Sequence, residues 1–388
     1  MGFRNLRNVL SAFSTRRERL EYFAGTSLMP AVGGTLFGGN FPMIMIKKKI
    51  GLLLLAALSA AKVHGQSSAS STPIISGGVG LLSNTTGGST VVQPVIMPVL
   101  AAPLGERWLI ESRGDIRTLF QKDPLTGNIN SQTFTFLEYL QADFNANSHL
   151  TITAGRFLTP FNMYNERFTP IWMQTFFADP IVASIGTLTT GSSDGGMLRG
   201  VALSRPSMNL TYAAYFSVHS STTKFESGRA AGGRVAIFLP GPRLEIGASY
   251  QKLLESARQN SEGAYFSWNP AGAPLDLRGE YAHSPGGQGY WIEAAYRLSQ
   301  FGGPNSWLGR LQPAVRAQQF DRIKPLALDF LPGVDTKRVD FALNYFLPKE
   351  VRIGGSYGRQ FSSQGNLNVW NVGLTWRFLF PVFPGGSK

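Results

Sequence analysis

The sequence predicts an all-β protein: a transmembrane antiparallel β-barrel of 14 strands, or 16 if a long loop supplies another pair, with both termini on the periplasmic side. Three observations predict it. Apolar residues recur at every second position over segment after segment. The connections between segments sort by length, short ones mostly alternating with long ones. The charged residues keep to one phase of the alternation and avoid the apolar, aromatic one.

Bulk composition agrees. The chain has 388 residues, 43% hydrophobic and 15% charged, with 44 glycines and no cysteine. Few charges with many glycines and aromatics suit strands better than helices. Without cysteine there is no disulfide framework, thiolate metal site, cysteine nucleophile or lipoprotein anchor. The net charge of +13 is front-loaded, because residues 1–65 hold nine Lys/Arg against two Asp/Glu. From Gln66 onward the excess is +6 with no dense basic block, so no nucleic-acid partner is expected.

The domain expectations follow the chain. Residues 43–65 read as a signal peptide: Lys47 to Lys49, an apolar run from Ile50 to Ala61, then small Val63 and Gly65 ahead of cleavage near Gln66. That run would make a helix of about 18 Å, against a hydrocarbon core of about 30 Å, so it does not read as a membrane anchor. Residues 1–42 lie upstream of any needed n-region and read as an extension from a start called too early. Residues 66–104, rich in Ser, Thr, Gly and Pro, read as a flexible periplasmic lead-in, residues 105–378 as the barrel and 379–388 as a C-terminal tail.

Alternation places strands at about 107–120, 132–145, 149–158, 196–205, 209–218, 232–239, 243–253, 262–269, 274–284, 288–299, 310–321, 336–347, 350–361 and 368–378. Connections such as "NANSH", "RPSMN", "LPGPR" and "LPKE" are tight, whereas "QKDPLTGNINS", "HSSTTKFESGRAAG" and a block of nearly forty residues after Phe157 are long. A soluble β-sandwich would also alternate, but has no reason to sort its loops by parity. In the last strand, Trp370, Val372, Leu374, Trp376 and Phe378 form an apolar face read as touching lipid. An arginine there would cost about 2–4 kcal/mol at mid-bilayer.

The polar phase supplies candidate pore-lining residues: Glu111, Arg113, Asp115, Arg117, Arg234, Arg278, Arg297, Arg316, Arg338 and Arg352. With Arg377 and the acids Glu245, Asp276, Glu280, Glu293 and Asp340, this inward set has nine arginines against seven carboxylates, an excess of two. The faces of 132–145, 149–158 and 196–205 are ambiguous, so Glu138, Arg156 and Arg199 are left out. An excess of two in a water-filled lumen gives at most weak anion preference at a Debye length of about 8 Å.

The segment after Phe157 breaks the rhythm. It carries Phe161, Tyr164, Phe168, Trp172, Phe176 and Phe177, with Glu166 and Arg167 among them, too many aromatics for a solvated loop. Two shelters are open to it: the barrel lumen or the rim. In the first case Tyr164, Glu166, Arg167, Trp172 and Phe176 are the candidate constriction. "PIVASIGTLT" within this block could supply part of the extra strand pair. "GRFLTPFNMYNERFTPIW" resembles the "GRF-x-TPF" strand and following loop of bacterial outer-membrane porins related to the phosphate-selective group. Over about twenty residues, the resemblance implies a passive channel, commonly a homo-trimer. The lysine- and arginine-lined lumen sites of that group have no lysine ladder here, so phosphate specificity is not carried over.

The four histidines are scattered, no nucleophile–His pairing or metal spacing is visible, and no cofactor is implied. The expectation is a non-enzyme in the outer membrane of a Gram-negative-type bacterium, with outer-membrane lipid and small solutes or ions as partners. It would pass small hydrophilic solutes by diffusion. The competing readings are a structural or adhesive barrel plugged by its own charges and, more remotely, an outer-membrane hydrolase.

Overall fold

The computed structural model describes residues 72–123, 126–183, 191–220, 222, 225–255, 258–324 and 331–382. The upstream extension and signal peptide expected over 1–65 lie outside the described residues. Sixteen antiparallel strands close into one barrel. In chain order they are β1 Ile74–Thr86, β2 Ser89–Leu104, β3 Trp108–Lys122, β4 Ile129–Asn145, β5 Thr151–Leu158, β6 Ser192–Arg205, β7 Met208–Val218 and β8 Ala230–Leu239. There follow β9 Leu244–Leu253, β10 Asn260–Trp268, β11 Leu275–Ser284, β12 Gly287–Tyr296, β13 Leu311–Arg322, β14 Thr336–Leu347, β15 Val351–Ser362 and β16 Leu367–Pro381. One helical turn, α1 Tyr164–Arg167, lies in the β5–β6 connection.

The count is therefore 16, and the added pair is not where the sequence suggested. Ile181 to Ala183 form a turn, and 184–190 lie outside the described residues. The pair comes from the stretch read as a lead-in: β1 and β2 form a hairpin, and β1 closes the barrel on β16 from Ile74↔Pro381 to Thr86↔Val369. The prolines of β2 argued against a strand because proline donates nothing to a ladder. They are accommodated on one side only. The β1–β2 register is unbroken, while the β2–β3 register skips Gln93–Pro94 and Met97–Pro98. The turn is Gly87-Gly88, both with positive φ (59° and 87°), as a two-residue hairpin turn matching strand twist requires. The last strand also runs past the expected barrel end at Phe378, to Pro381.

Even strand number puts both termini at one end, with the short β2–β3, β4–β5, β6–β7, β8–β9 and β14–β15 turns. The long connections, including β5–β6, gather at the other end. The outer and inner faces invert the usual soluble arrangement. Phe341, Val372 and Ile246 are more than half exposed, whereas Arg113, Asp115, Arg316 and Asp340 are at most 2% exposed. Trp370, Leu374 and Trp376 share the exposed face as expected.

The ambiguity of the second predicted strand has a local cause. The β3–β4 register shifts at Arg113/Gly114, pairing Arg113 with Tyr139 and Gly114 with Leu137. Glu138 is the extra residue of a β-bulge, so Glu138 and Tyr139 are consecutive and both buried on the inner face. A strict period of two fails at that point.

Candidate functional site

The "GRFLTP" segment builds the neck of the loop. Arg156 donates to the Leu137 carbonyl (2.8 Å) and pairs with Asp194 on β6 (2.9 Å). Phe157 packs edge-on against Tyr215. The Thr159 and Ser193 hydroxyls meet at 2.8 Å, and the Asn165 amide bridges the Thr159 and Gly191 carbonyls, each at 2.8 Å. Both strands are thus tied together where the chain leaves the wall, and the loop turns inward instead of away.

From the neck, the loop lies along inward-phase residues from β8 round to β1. Asn162, at a positive φ of 50°, donates from its backbone to Ser249 (2.9 Å) and from its side chain to the Tyr281 carbonyl (3.0 Å). A Cβ on Gly263 would lie 2.3 Å from the Asn162 side chain, so only glycine leaves room. Glu280 caps α1, accepting the Met163 and Tyr164 amides (2.7 and 2.5 Å) through one oxygen and the Trp291 indole (3.2 Å) through the other. Arg167 is bidentate on Glu245 (2.7 and 2.9 Å), and Glu166 pairs with Arg234, which also donates to the Asn162 carbonyl. Around these bonds Phe161, Met163, Tyr164, Phe168 and Val182 bury against Tyr265, Trp291 and Phe320. The loop aromatics therefore find their shelter inside the barrel.

Further along, Ile171 and Trp172 pack with Leu82, Val95 and Met97 on β1 and β2. Glycine again makes the seat, since a Cβ on Gly78 would come within 2.4 Å of Trp172.

The rest of the loop is held by arginines. In register across four strands run Arg278, Glu293, Arg316 and Asp340, an alternating ionic ladder, with Arg338 also on Asp340 (3.0 Å). Each ladder arginine bonds a carboxylate and the loop together. Arg278 reaches the Thr175 hydroxyl (2.6 Å) with the Phe168 ring over its guanidinium. Arg316 donates to the Ala178 carbonyl (2.8 Å) under Phe176, and Arg338 to the Asp179 carbonyl (3.2 Å). Among the described residues Arg352 bonds the loop alone: the Ile171 carbonyl (2.6 Å), the Gln174 carbonyl and the Phe177 ring. A planar guanidinium offers donors along two edges and a face for an aromatic ring, which a lysine does not.

On the facing wall the described ion pairs join wall residues to one another. Arg113 bonds Glu138, Arg117 bonds Asp115, and Arg199 bonds Asp143 (2.8 Å). Between this wall and the loop lies a gap of about 10 Å³ lined by Glu111, Tyr139, Gln141, Leu158, Glu166, Met197 and Arg199. That is the space of about one water.

Of the sequence candidates, Tyr164, Glu166, Arg167, Trp172 and Phe176 all come together on this inner surface. Glu111, Arg113, Asp115, Arg117, Arg234, Arg278, Arg316, Arg338 and Arg352 all lie on the inner wall. Arg297 is displaced from the group. It follows the end of β12, donating to the Gly309 carbonyl (3.2 Å) beside Phe346 at the short-turn rim. The three strands left ambiguous bring Arg156 and Arg199 inward, but also Glu138, Asp143 and Asp194, which further dilutes the cationic excess. Sequence reasoning missed Glu280 and Glu245 as loop anchors, and the glycine seats. The available signal was inward-phase glycine facing an aromatic-rich loop.

The sequence matches no protein-family model and no curated protein. The fold is shared with solved outer-membrane porins. The structure of Salmonella typhi OmpF in complex with daunomycin superposes with a TM-score of 0.54 at 14% identity, over 79% of this chain and 97% of that one. The anion-selective porin from Comamonas acidovorans gives 0.50 at 12% identity, over 79% and 99%. Similarity at this identity establishes the barrel architecture and nothing of the solute.

Proposed function

We propose that the protein is an outer-membrane porin passing small hydrophilic solutes by diffusion, with at most weak anion preference, and that the β5–β6 loop is its constriction. The observation that carries the reading is the β5–β6 loop folded into the barrel and held against the inner wall from β8 to β1. The balanced ion pairs there give no sustained field of one sign, so charge exclusion is weak. The same balance is why phosphate specificity does not follow from the likeness of "GRFLTPF" to the phosphate-selective group. The resemblance further supports a homo-trimer and a role other than catalysis, and the layout from Lys47 to Gly65 supports a signal peptide cleaved near Gln66. N-terminal sequencing of outer-membrane material should begin near Gln66.

One observation favours the plugged-barrel reading: Arg113, Asp115, Arg316 and Asn344 are almost wholly shielded although they face inward. Planar-bilayer conductance separates the two. The channel reading expects small, salt-dependent steps that grow when Tyr164–Phe177 are deleted. A silent bilayer for the intact protein, with large steps only after the deletion, establishes the plug and overturns the open channel.

A further inference from the structure

Outside the lumen, the long-loop end of the outer face from β9 to β13 is layered. Deepest are apolar residues, Ile246, Ile292 and Val315, all at least 40% exposed. Above them Tyr250, Tyr281 and Tyr290 form an exposed row. The hydroxyls of two of them point toward the rim: Tyr250 donates to Asn260 and Tyr281 to Gln288, both at 3.1 Å. Above the tyrosines opens a groove of about 450 Å³ whose lining includes Arg258, Asn260, Glu262, His283 and Lys324.

The groove is built from the outward phase, since Glu262 pairs in register with both Tyr250 and His283. Its two permanent cations come from loops fixed through their backbones. Arg258 sits at a positive φ of 46° with its amide on the Glu255 carbonyl (3.0 Å), and the Lys324 amide meets the Gly286 carbonyl (3.3 Å). Among the described residues neither the Arg258 nor the Lys324 side chain has an ion-pair partner. Glu262 is the only carboxylate in the lining. Lys252 adds a further outward cation, beside Asn260 in the β9–β10 register.

We infer that this groove holds the phosphate of an acylated lipid in the leaflet on the long-loop side, with the acyl chains lying along the tyrosine and apolar layers beneath. The depth order matches such a molecule: hydrocarbon, then interfacial aromatics, then anion. The volume lies within the range of about 300–1,000 Å³ typical of ligand pockets and far exceeds what a lone phosphate needs. The site rests on the membrane reading and is independent of whether the lumen conducts.

The test is native mass spectrometry of the full-length mature protein in detergent, scored for retained lipid. The probes are bisphosphorylated lipid A and its fully dephosphorylated form. Arg258→Glu with Lys324→Glu is expected to weaken lipid A retention at least about twenty-fold, two surface cations being worth about that factor. Arg243→Glu with Lys349→Glu, at the opposite rim, leaves it unchanged. Both pairs lie in exposed turns, and heat-modifiable migration verifies folding. Equal retention by the first double variant, or of the dephosphorylated lipid, overturns the site. Displacement by millimolar inorganic phosphate reassigns it to the free ion and overturns the lipid. A conductance failure would leave these results untouched and would count against the channel alone.

Discussion

The two halves of the inner wall carry similar residues and use them differently. From β8 to β1 the wall is covered. Arg278, Arg316 and Arg338 split their donors between a neighbouring carboxylate and a loop carbonyl or hydroxyl, Arg352 donates to loop carbonyls, and all four are buried. On β3 to β6 the described ion pairs lie within the wall. Arg117 pairs with Asp115 on its own strand and Arg199 with Asp143 two strands away, with side-chain exposures of 18% and 19%, while Arg113 on the same wall is fully buried. The same arginine–carboxylate chemistry thus anchors the loop on one side and, among the described residues, ties strand to strand on the other. What separates them is the partner: backbone carbonyls brought by the loop, which satisfy donors without adding charge.

That contrast can be broken most severely at the ladder. Asp340 serves both Arg316 and Arg338 (3.2 and 3.0 Å) and also accepts Gln318. Asp340→Ala leaves buried Arg338 without a carboxylate and buried Arg316 with Glu293 alone, at 3.9 Å. Removing one partner of a buried pair costs about 3–5 kcal/mol, whereas an exposed pair is worth about 0–1 kcal/mol. The variant should lower the heat-modification midpoint of the barrel markedly and, by releasing Ala178 and Asp179, raise conductance. An unchanged midpoint would mean that the ladder pairs are worth no more than exposed ones.

The milder change is on the facing side. Arg199→Gln keeps a donor for Asp143 but removes the cation facing Glu166 across the gap. Stability should fall less than in Asp340→Ala, because buried Asp143 keeps the Thr153 and Gln141 donors. The reversal potential in a potassium chloride gradient should move toward cations. A shift of equal size from Arg316→Gln, with loop docking intact, would abolish the distinction between lining and anchorage.

Much of this architecture was legible in the sequence because a period of two is a direct record of which solvent each side chain meets. The strand 336–347 was placed to the residue, and the outward phase of Trp370 to Trp376 was plain. What escaped had physical causes. Prolines 94 and 98 hid β2 because only one of its two ladders needs their missing donors, although Gly87-Gly88 between β-branched residues was a hairpin signal. The Glu138 bulge broke the period on β4. The loop anchors escaped for another reason. Periodicity gives the direction of Glu280 and Glu245, but only the folded loop shows that they meet the Met163 amide and the Arg167 guanidinium. The aromatic content of the loop indicated shelter, and the choice of lumen over rim depends on inward glycines such as Gly78 and Gly263, whose meaning appears only once the loop is in place.

The smallest expected effect concerns pH and lies on the loop itself. Asp179 is buried, accepting the Tyr164 hydroxyl (2.6 Å) and the Gln174 amide (2.9 Å). Burial holds its carboxyl above the ordinary carboxylate range, although the Tyr164 bond and Arg117, Arg316 and Arg338 nearby act the other way. A carboxyl whose pKa is raised by docking binds its proton more tightly in the docked loop than in a released one. Docking is then most favoured below the ordinary carboxylate pKa, and that contribution fades as pH rises through the raised value. Acidifying from about pH 7.5 should therefore tighten the loop and lower conductance slightly. Asp179→Asn, which is neutral at every pH, should flatten that component while leaving the barrel's heat-modification midpoint near wild type. A conductance that rises from the first step of acidification, or one that falls equally in Asp179→Asn, would show that Asp179 does not govern how tightly the loop is held.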